Sequence, residues 1–269
     1  MINLIKYSLV RLIELSPSIH SIIYKYIHNF TFLFPHEKDY LGLNLIFKKQ
    51  TNGDILDIGG NIGLSTIGFR SLGFKKNKIF IFEPNLECIK KLRRVQRRFG
   101  NIEILNYGLS SIDIKKTLYT PIFKKKSYNF LSSFEKKYVK KKLIMNYGKQ
   151  SRNFKLKKQK IILKKFDNIK KKIKPIFIKI DVEGHDHKVI NGMMETIKKF
   201  KPVILVEYNQ ENFGKIFKKL NKFYNFYYFN FIKNKMEIIH TNYMKKIIKN
   251  NLQRGFFLSE RNIFLIKKP

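Results

Sequence analysis

Acidic residues are scarce in this chain of 269: 19 Asp and Glu stand against 56 Lys and Arg, a formal net charge of +37. Tryptophan is absent, and cysteine occurs once, as Cys88. A single cysteine excludes an intrachain disulfide, and with it the stapled secreted scaffolds. A reducing, cytoplasmic setting is the natural expectation, with Cys88 a buried structural thiol. Long apolar runs are missing too. Lys6, Arg11, Glu14 and Lys25 interrupt the apolar N-terminus, so nothing approaches the ~18 residues of a spanning helix. No small-residue cleavage site follows a continuous apolar core, so no secretory leader is expected. No internal repeat is visible. Hydrophobic residues still make up 43%, ordinary for a globular chain with a full core.

Two of the few acids close apolar runs. Residues 54–63 read Asp-Ile-Leu-Asp-Ile-Gly-Gly-Asn-Ile-Gly, and a helical stretch, Leu64–Leu72, follows. This is a strand ending in Asp57, a turn with Gly59, Gly60 and Gly63, and a helix N-terminus. It is the build of a nucleotide-cofactor site in an open α/β sheet. Glycines admit positive φ and leave room for a ligand against the main chain, and the helix start offers free N–H donors. The Gly-x-Gly-x-x-Gly spacing of a dinucleotide site is not matched, and Asp57 would repel a pyrophosphate. Lys78–Phe82 reads as the next buried strand, with Glu83 at its end. That is near the offset of roughly 20 residues at which an acid grips ribose hydroxyls. A ribose site beside an anion that suits a cation describes S-adenosylmethionine, with its ribose, sulfonium and amino group. A plain strand-to-helix connection would show the same turn, but not Glu83.

Four blocks carry a family resemblance: Leu56-Asp57-Ile58-Gly59-Gly60-Asn61-Ile62-Gly63, Phe82-Glu83-Pro84-Asn85, Ile178-Lys179-Ile180-Asp181-Val182-Glu183-Gly184, and Pro202–Tyr208. With them the chain resembles the FkbM-type S-adenosylmethionine-dependent methyltransferases from about Tyr40 to about Lys267. The Asp-Val-Glu-Gly block is the most specific element. Gly60 stands where the family more often has alanine, which reads as a harmless change. His185 and His187 stand where it often has an acid. The resemblance implies a Rossmann-like class I methyltransferase fold, a mostly parallel doubly wound sheet with an antiparallel end. Residues 1–39 form an N-terminal amphipathic helical appendage and 40–269 the methyltransferase domain. It also implies O-methylation, commonly of sugars in surface glycans or of small natural products. The cofactor is expected over Gly59, Gly60, Asn61 and Gly63, with Asp57 and Asn61 at its methionine end and Glu83, followed by Pro84, at its ribose.

Strands are expected near 54–58, 78–82, 102–106, 176–181 and 202–208, with helices at 62–72, 86–99 and 185–199. Phe223–Phe231 and Asn262–Lys267 supply the last strands. Ligands sit at the carboxyl ends of strands in such sheets, which places Asp181, Glu183 and His185 beside the cofactor turn. A sulfonium methyl is already activated, so the protein mainly aligns the acceptor and takes its proton. Asp181 or His185 is the candidate base, and Glu183 the orienting group. Both acids could instead cap the helix that follows. Asp181, Glu183, His185 and His187 could also be read as metal ligands, but His-x-His suits a strand better than a helix. No metal is assigned.

Residues 121–160 are lysine-rich and aromatic without a clear period, and read as a variable basic insertion that helps to cover or select the acceptor. The basic residues are spread along the chain, which argues against a dedicated nucleic-acid module. Genome bias toward Lys, Ile and Asn explains most of the charge, with peripheral contact to an anionic membrane as a consequence. Ile2, Ile5, Leu9 and Leu12, then Ile19, Ile22, Ile23, Tyr26 and Ile27, recur at helical spacing. They make two amphipathic helices that pack on the domain or lie on a membrane. A nucleic-acid methyltransferase is the rival suggested by charge, although Asp-Val-Glu-Gly occupies the place where an Asn-Pro-Pro-Tyr-like block would often stand. A non-catalytic binding protein with the same fold is the other rival, and the retained cofactor acids oppose it.

Overall fold

The computed structural model of the chain describes residues 35, 37–47, 51–208, 210–240, 242 and 262–269, with the backbone alone at 210–212. The two amphipathic helices expected within residues 1–34 lie outside the described residues. A short helix, α1 (Leu43–Ile46), precedes a run of strand–helix units: β1 (Asp54–Ile58), α2 (Leu64–Ser71), β2 (Ile79–Phe82), α3 (Leu86–Phe99) and β3 (Ile102–Leu105). After an excursion come β8 (Pro175–Ile180), α5 (Asp186–Gly192), α6 (Met194–Phe200), β9 (Val203–Glu207) and α7 (Gln210–Leu220), then β10 (Tyr224–Asn230), β11 (Lys235–Ile238) and β12 (Asn262–Lys267). The large sheet runs β11-β10-β12-β9-β8-β1-β2-β3. Its β9, β8, β1, β2 and β3 are parallel. β12 is inserted antiparallel between β9 and β10, and β11 adds a hairpin at the edge. The strand order reverses between β1 and β8, the switch point at which such folds bind ligands.

Period-two alternation builds a core on each face of this sheet. Leu56, Ile58, Phe80, Phe82, Ile178 and Ile180 face one core, closed by Val189, Ile190 and Ile197 of α5 and α6 and by Phe213 and Phe217 of α7. Ile55, Ile79, Ile81 and Phe177 face the other, under Ile67 and Phe69 of α2, Leu92 and Val95 of α3, and Tyr40 and Leu43. Asp57 and Lys179 fall by the same alternation on the second face. They are direct partners in the β1–β8 register, so two charges enter a nearly dry layer side by side.

Three features depart from the expected layout. The helix expected over 185–199 is broken at Met193. At Gly192 a Cβ would stand 2.0 Å from the Ser110 carbonyl, so the helix end abuts another backbone there. β11 and α7 were not anticipated. The excursion, of which residues 121–160 were expected to lack a period, instead forms a second sheet, β4-β7-β5-β6, from β4 (Gly108–Ser110), β5 (Ile114–Phe123), β6 (Lys126–Ser127) and β7 (Lys155–Lys165), with helix α4 (Lys136–Tyr147). It has its own core of Tyr128, Leu131, Val139, Leu143 and Tyr147, onto which Phe123 and Phe154 pack.

One buried cation braces the far edge. The Arg70 guanidinium, 4% exposed, donates to the carbonyls of Phe74, Lys75, Asn77, Gly100 and Asn101. A planar five-donor fork can satisfy several orphan carbonyls at once, and here it ties the turn before β2 to the turn before β3. No helix among the described residues is long and apolar enough to cross a membrane.

Candidate active site

The β1 turn is held against two neighbouring strand ends. Gly59 N–H donates to Phe82 O at 2.9 Å, and Asp181 N–H to Ile58 O at 3.0 Å. Gly59 adopts φ +79, and a Cβ on it would lie 1.9 Å from the Asp181 carbonyl oxygen. Only glycine fits there, for both conformation and space. Gly63, at φ +91, precedes α2. Gly60 departs from its expectation: a Cβ there would meet Ile81 Cγ2 at 2.3 Å. In this chain alanine at 60 therefore requires Ile81 to move, because a bulky β-branched neighbour fills the space.

Glu83 is the acid most firmly oriented. It is 7% exposed; Oε2 accepts from Asn61 N–H and Oε1 from Asn85 N–H, each at 2.8 Å. Burial pushes its carboxyl up to about 7, against the downward pull of those two bonds and of Lys179. Asn85 also caps α3 through Glu87 N–H, and the Pro84 carbonyl accepts from Gln159 of β7. Asn61 is fixed at φ +46, and its Oδ1 accepts from the Cys88 thiol at 3.3 Å. The lone cysteine is thus buried, as expected, and burial pushes its thiol far up.

Asp57 is wholly buried. Its Oδ2 accepts from the hydroxyls of Ser65 (2.5 Å) and Thr66 (2.7 Å) at the start of α2. Its Oδ1 lies 3.6 Å from Lys179 Nζ. Lys179 also reaches Asp181 Oδ2 at 3.1 Å and the Gly59 carbonyl at 3.3 Å. Burial alone would depress this ammonium, but Asp181 and Asp57 outweigh it and hold it above its ordinary range. Lys179 is the one charged residue of β8, and a lone lysine in a strand buried on both faces needs a counter-charge, which is the signal for it in the sequence. Glu37 adds to the field at Lys179, and Glu37, Asp57, Asp181 and Asp39 to that at Tyr40.

The Asp-Val-Glu-Gly block leaves β8 as a strained turn. Glu183 sits at φ +46 and Gly184 at φ +89. Neither Asp181 nor Glu183 caps the following helix; the Asp186 carboxylate accepts from Val182 N–H instead. Asp181 is one-third exposed, at 34%. Glu183 Oε2 accepts from Tyr138 OH at 3.3 Å and lies 3.6 Å from Lys142 Nζ, both on α4. The Ser133 hydroxyl donates to the Glu183 carbonyl at 3.0 Å. Burial raises the Glu183 carboxyl to about 7, with Lys142 opposing. Glu207, at the end of β9, joins them: carboxylate oxygens of Asp181, Glu183 and Glu207 lie within 4.8 Å of one another. An acid closing an apolar strand is the signal that marked Asp57 and Glu83, and it would have found Glu207. Lys179 and Lys142 already supply cationic charge to this cluster.

His185 is placed apart from the acids. It is 3% exposed, its Nε2 stands 2.9 Å from Ser110 Oγ, and its ring meets Phe134 edge-on. Burial drives its imidazole down to about 3, so it is neutral at ordinary pH. His187 is half-buried, with Nδ1 lacking a partner.

A family model for the methyltransferase FkbM domain matches residues 57–237. In structure the chain is similar to methyltransferase FkbM from Methylobacillus flagellatus KT at 14% identity and a TM-score of 0.49, over 85% of this chain and 48% of that one. The chain thus spans about half the length of that protein. The plantazolicin methyltransferase BpumL, solved with a pentazolic desmethylPZN analog and SAH, is similar at 12% identity and a TM-score of 0.45, over 98% of this chain and 96% of that one. A fibrillarin/Nop5p complex matches at 12% identity and a TM-score of 0.39, over 84% of this chain and 79% of that one. No curated protein sequence matches the chain.

Proposed function

Because the chain belongs to the FkbM methyltransferase family, we propose that it binds S-adenosylmethionine over the Gly59–Gly63 turn and methylates a hydroxyl, either of a sugar in a surface glycan or of a small natural product. The observation that carries the cofactor reading is the Glu83 carboxylate. Each of its oxygens takes only one backbone N–H, and a carboxylate oxygen has a further lone pair to offer. Two ribose hydroxyls match that capacity. The backbone N–H groups of Asn61 and Asn85 hold Glu83 in place, Pro84 ties this segment to Gln159 of β7, and glycine at 60 and 63 lets the turn pack against Ile81, Leu92 and Val95. Asp57 acts through its field rather than by contact, since its Oδ2 holds Ser65 and Thr66 and its Oδ1, 3.6 Å from Lys179 Nζ, is sealed from the surface without a hydrogen bond.

S-adenosylmethionine supplies an electrophilic methyl on a sulfonium. Asp181, at the open end of β8, takes the acceptor's hydroxyl proton as the oxygen–methyl bond forms and the sulfur–methyl bond breaks. Asp181 is preferred to His185 because the imidazole is buried and bonded to Ser110, whereas Asp181 is one-third exposed. Glu183 orients the acceptor, with Tyr138 and Lys142 of the 121–160 insertion fixing its carboxylate. Base participation of this kind contributes typically 10²–10⁴-fold.

The test is transfer of tritiated methyl from S-adenosylmethionine to oligosaccharide, glycolipid and small-molecule fractions, with RNA and DNA beside them. Label in a sugar as an alkali-stable methyl ether, lost in Asp181→Asn and kept in His185→Gln, is the expected outcome. Label in nucleic acid alone would overturn the acceptor reading.

A further inference from the structure

We propose that the outer stripe of α4 is a docking surface for an anionic lipid bilayer. Lys137, Lys140, Lys141 and Ile144 follow one another at i, i+3, i+4 and i+7, which places them on one face of a helix. Met145 flanks the stripe. All five are exposed, Ile144 at 62% and Met145 at 70%. The inner face, Val139, Leu143 and Tyr147, is buried in the insertion's own core, so this surface is not a core face left open. The helix contains no acid. Among the described residues no carboxylate pairs with Lys137 or Lys140.

Two adjacent large aliphatic side chains held in water amid lysines suit an interface with both apolar and anionic character. Lysine stems lie along apolar surface while their ammoniums reach outward to phosphates. Ile and Met side chains enter the boundary between headgroups and acyl chains. Nucleic acid would reward the lysines and leave Ile144 and Met145 unburied. The comparison helix is α3, whose exposed Arg93 and Arg94 are as basic but have no exposed aliphatic pair beside them. Another flank of α4, Tyr138 and Lys142, reaches Glu183. A chain held by this stripe therefore carries its Asp-Val-Glu-Gly loop close to the lipid surface.

The net charge of +37 attracts the whole chain to any polyanion, so the test must hold that term constant. The full chain is mixed with vesicles of phosphatidylcholine alone, or of phosphatidylcholine with phosphatidylglycerol, at physiological ionic strength, and partitioning is read by flotation. Wild type is expected on the anionic vesicles only. Ile144→Ser/Met145→Ser leaves the net charge unchanged and lowers partitioning about tenfold or more. Lys137→Gln/Lys140→Gln lowers it by roughly twenty-five-fold, about fivefold per lysine, and Arg93→Gln/Arg94→Gln by much less. All these side chains are exposed, and unchanged thermal melts confirm the fold. Equal binding to neutral vesicles, no binding to anionic ones, or a serine variant that floats like wild type would each overturn the proposal. So would capture of RNA without vesicle binding.

Discussion

Cofactor affinity is expected to climb with pH through neutrality, and Glu83 sets the window. Burial raises its folded-state carboxyl from an ordinary 4.5 to about 7. Without ligand, the folded chain therefore favours protonated Glu83. That contribution to stability is complete below the unfolded value and is lost as pH rises through 7. Ribose hydroxyls donate to the ionised form, so ligand binding pulls the opposite way. The ionised fraction grows from about a tenth at pH 6 to about nine tenths at pH 8. Affinity for S-adenosylhomocysteine should rise about tenfold over that range, roughly 1.4 kcal/mol. Calorimetric titration at several pH values measures it directly. Glu183, also raised to about 7, could mimic the trend, so Glu83→Gln serves as the control and should bind weakly with a flat profile. A wild-type affinity that is flat or falls between pH 6 and 8 would refute the assignment of Glu83 to the ribose.

Lys179→Met leaves Asp57 and Asp181 facing each other without their shared cation, and should lower unfolding stability by about 3–5 kcal/mol in urea titration; a loss below about 1 kcal/mol would mean that the buried charges are solvated. Gly59→Ala drives a Cβ into the Asp181 carbonyl and should abolish S-adenosylhomocysteine binding even where circular dichroism still reports a folded chain. Arg70→Met strands five carbonyls and should cost about 3 kcal/mol in thermal or chemical denaturation while leaving affinity for the cofactor analogue unchanged, since the brace lies before β2 and β3, at the opposite ends of the strands from the Gly59–Gly63 turn and Glu83.

Strands buried on both faces announced themselves: Asp54–Ile58, Lys78–Phe82 and Ile176–Ile180 are short apolar runs with breakers around them, and their bounds lie within a residue or two of the observed ones. The helix at 86–99 was legible because Leu92 and Val95 alternate with basic residues on the solvent side. The second sheet was not. In β7, Ile161 and Leu163 are buried while Lys160, Ile162 and Lys164 are exposed, but an isoleucine on the wet side and a run of lysines hide the alternation. In α7, Phe213, Ile216, Phe217 and Leu220 carry a helical spacing, but no chemistry-bearing residue of the site marks that stretch in the sequence. At the site, Asp57, Glu83 and Asp181 were visible because each stands at the end of an apolar strand. Their partners were not, since which lysine meets which carboxylate depends on register: Lys179 faces Asp57 only because β1 and β8 pair in parallel at that offset. His185 stands beside the acids in the sequence, whereas in the structure its ring is buried against Ser110 and Phe134, distant in sequence.

A crystal structure grown with S-adenosylhomocysteine tests the central claim most directly. The account predicts the ligand lying across Gly59–Gly63, with both ribose hydroxyls on the Glu83 carboxylate and the sulfur directed toward Asp181. A ligand bound elsewhere, or a well-ordered structure at saturating ligand with the turn filled by side chains, would contradict it.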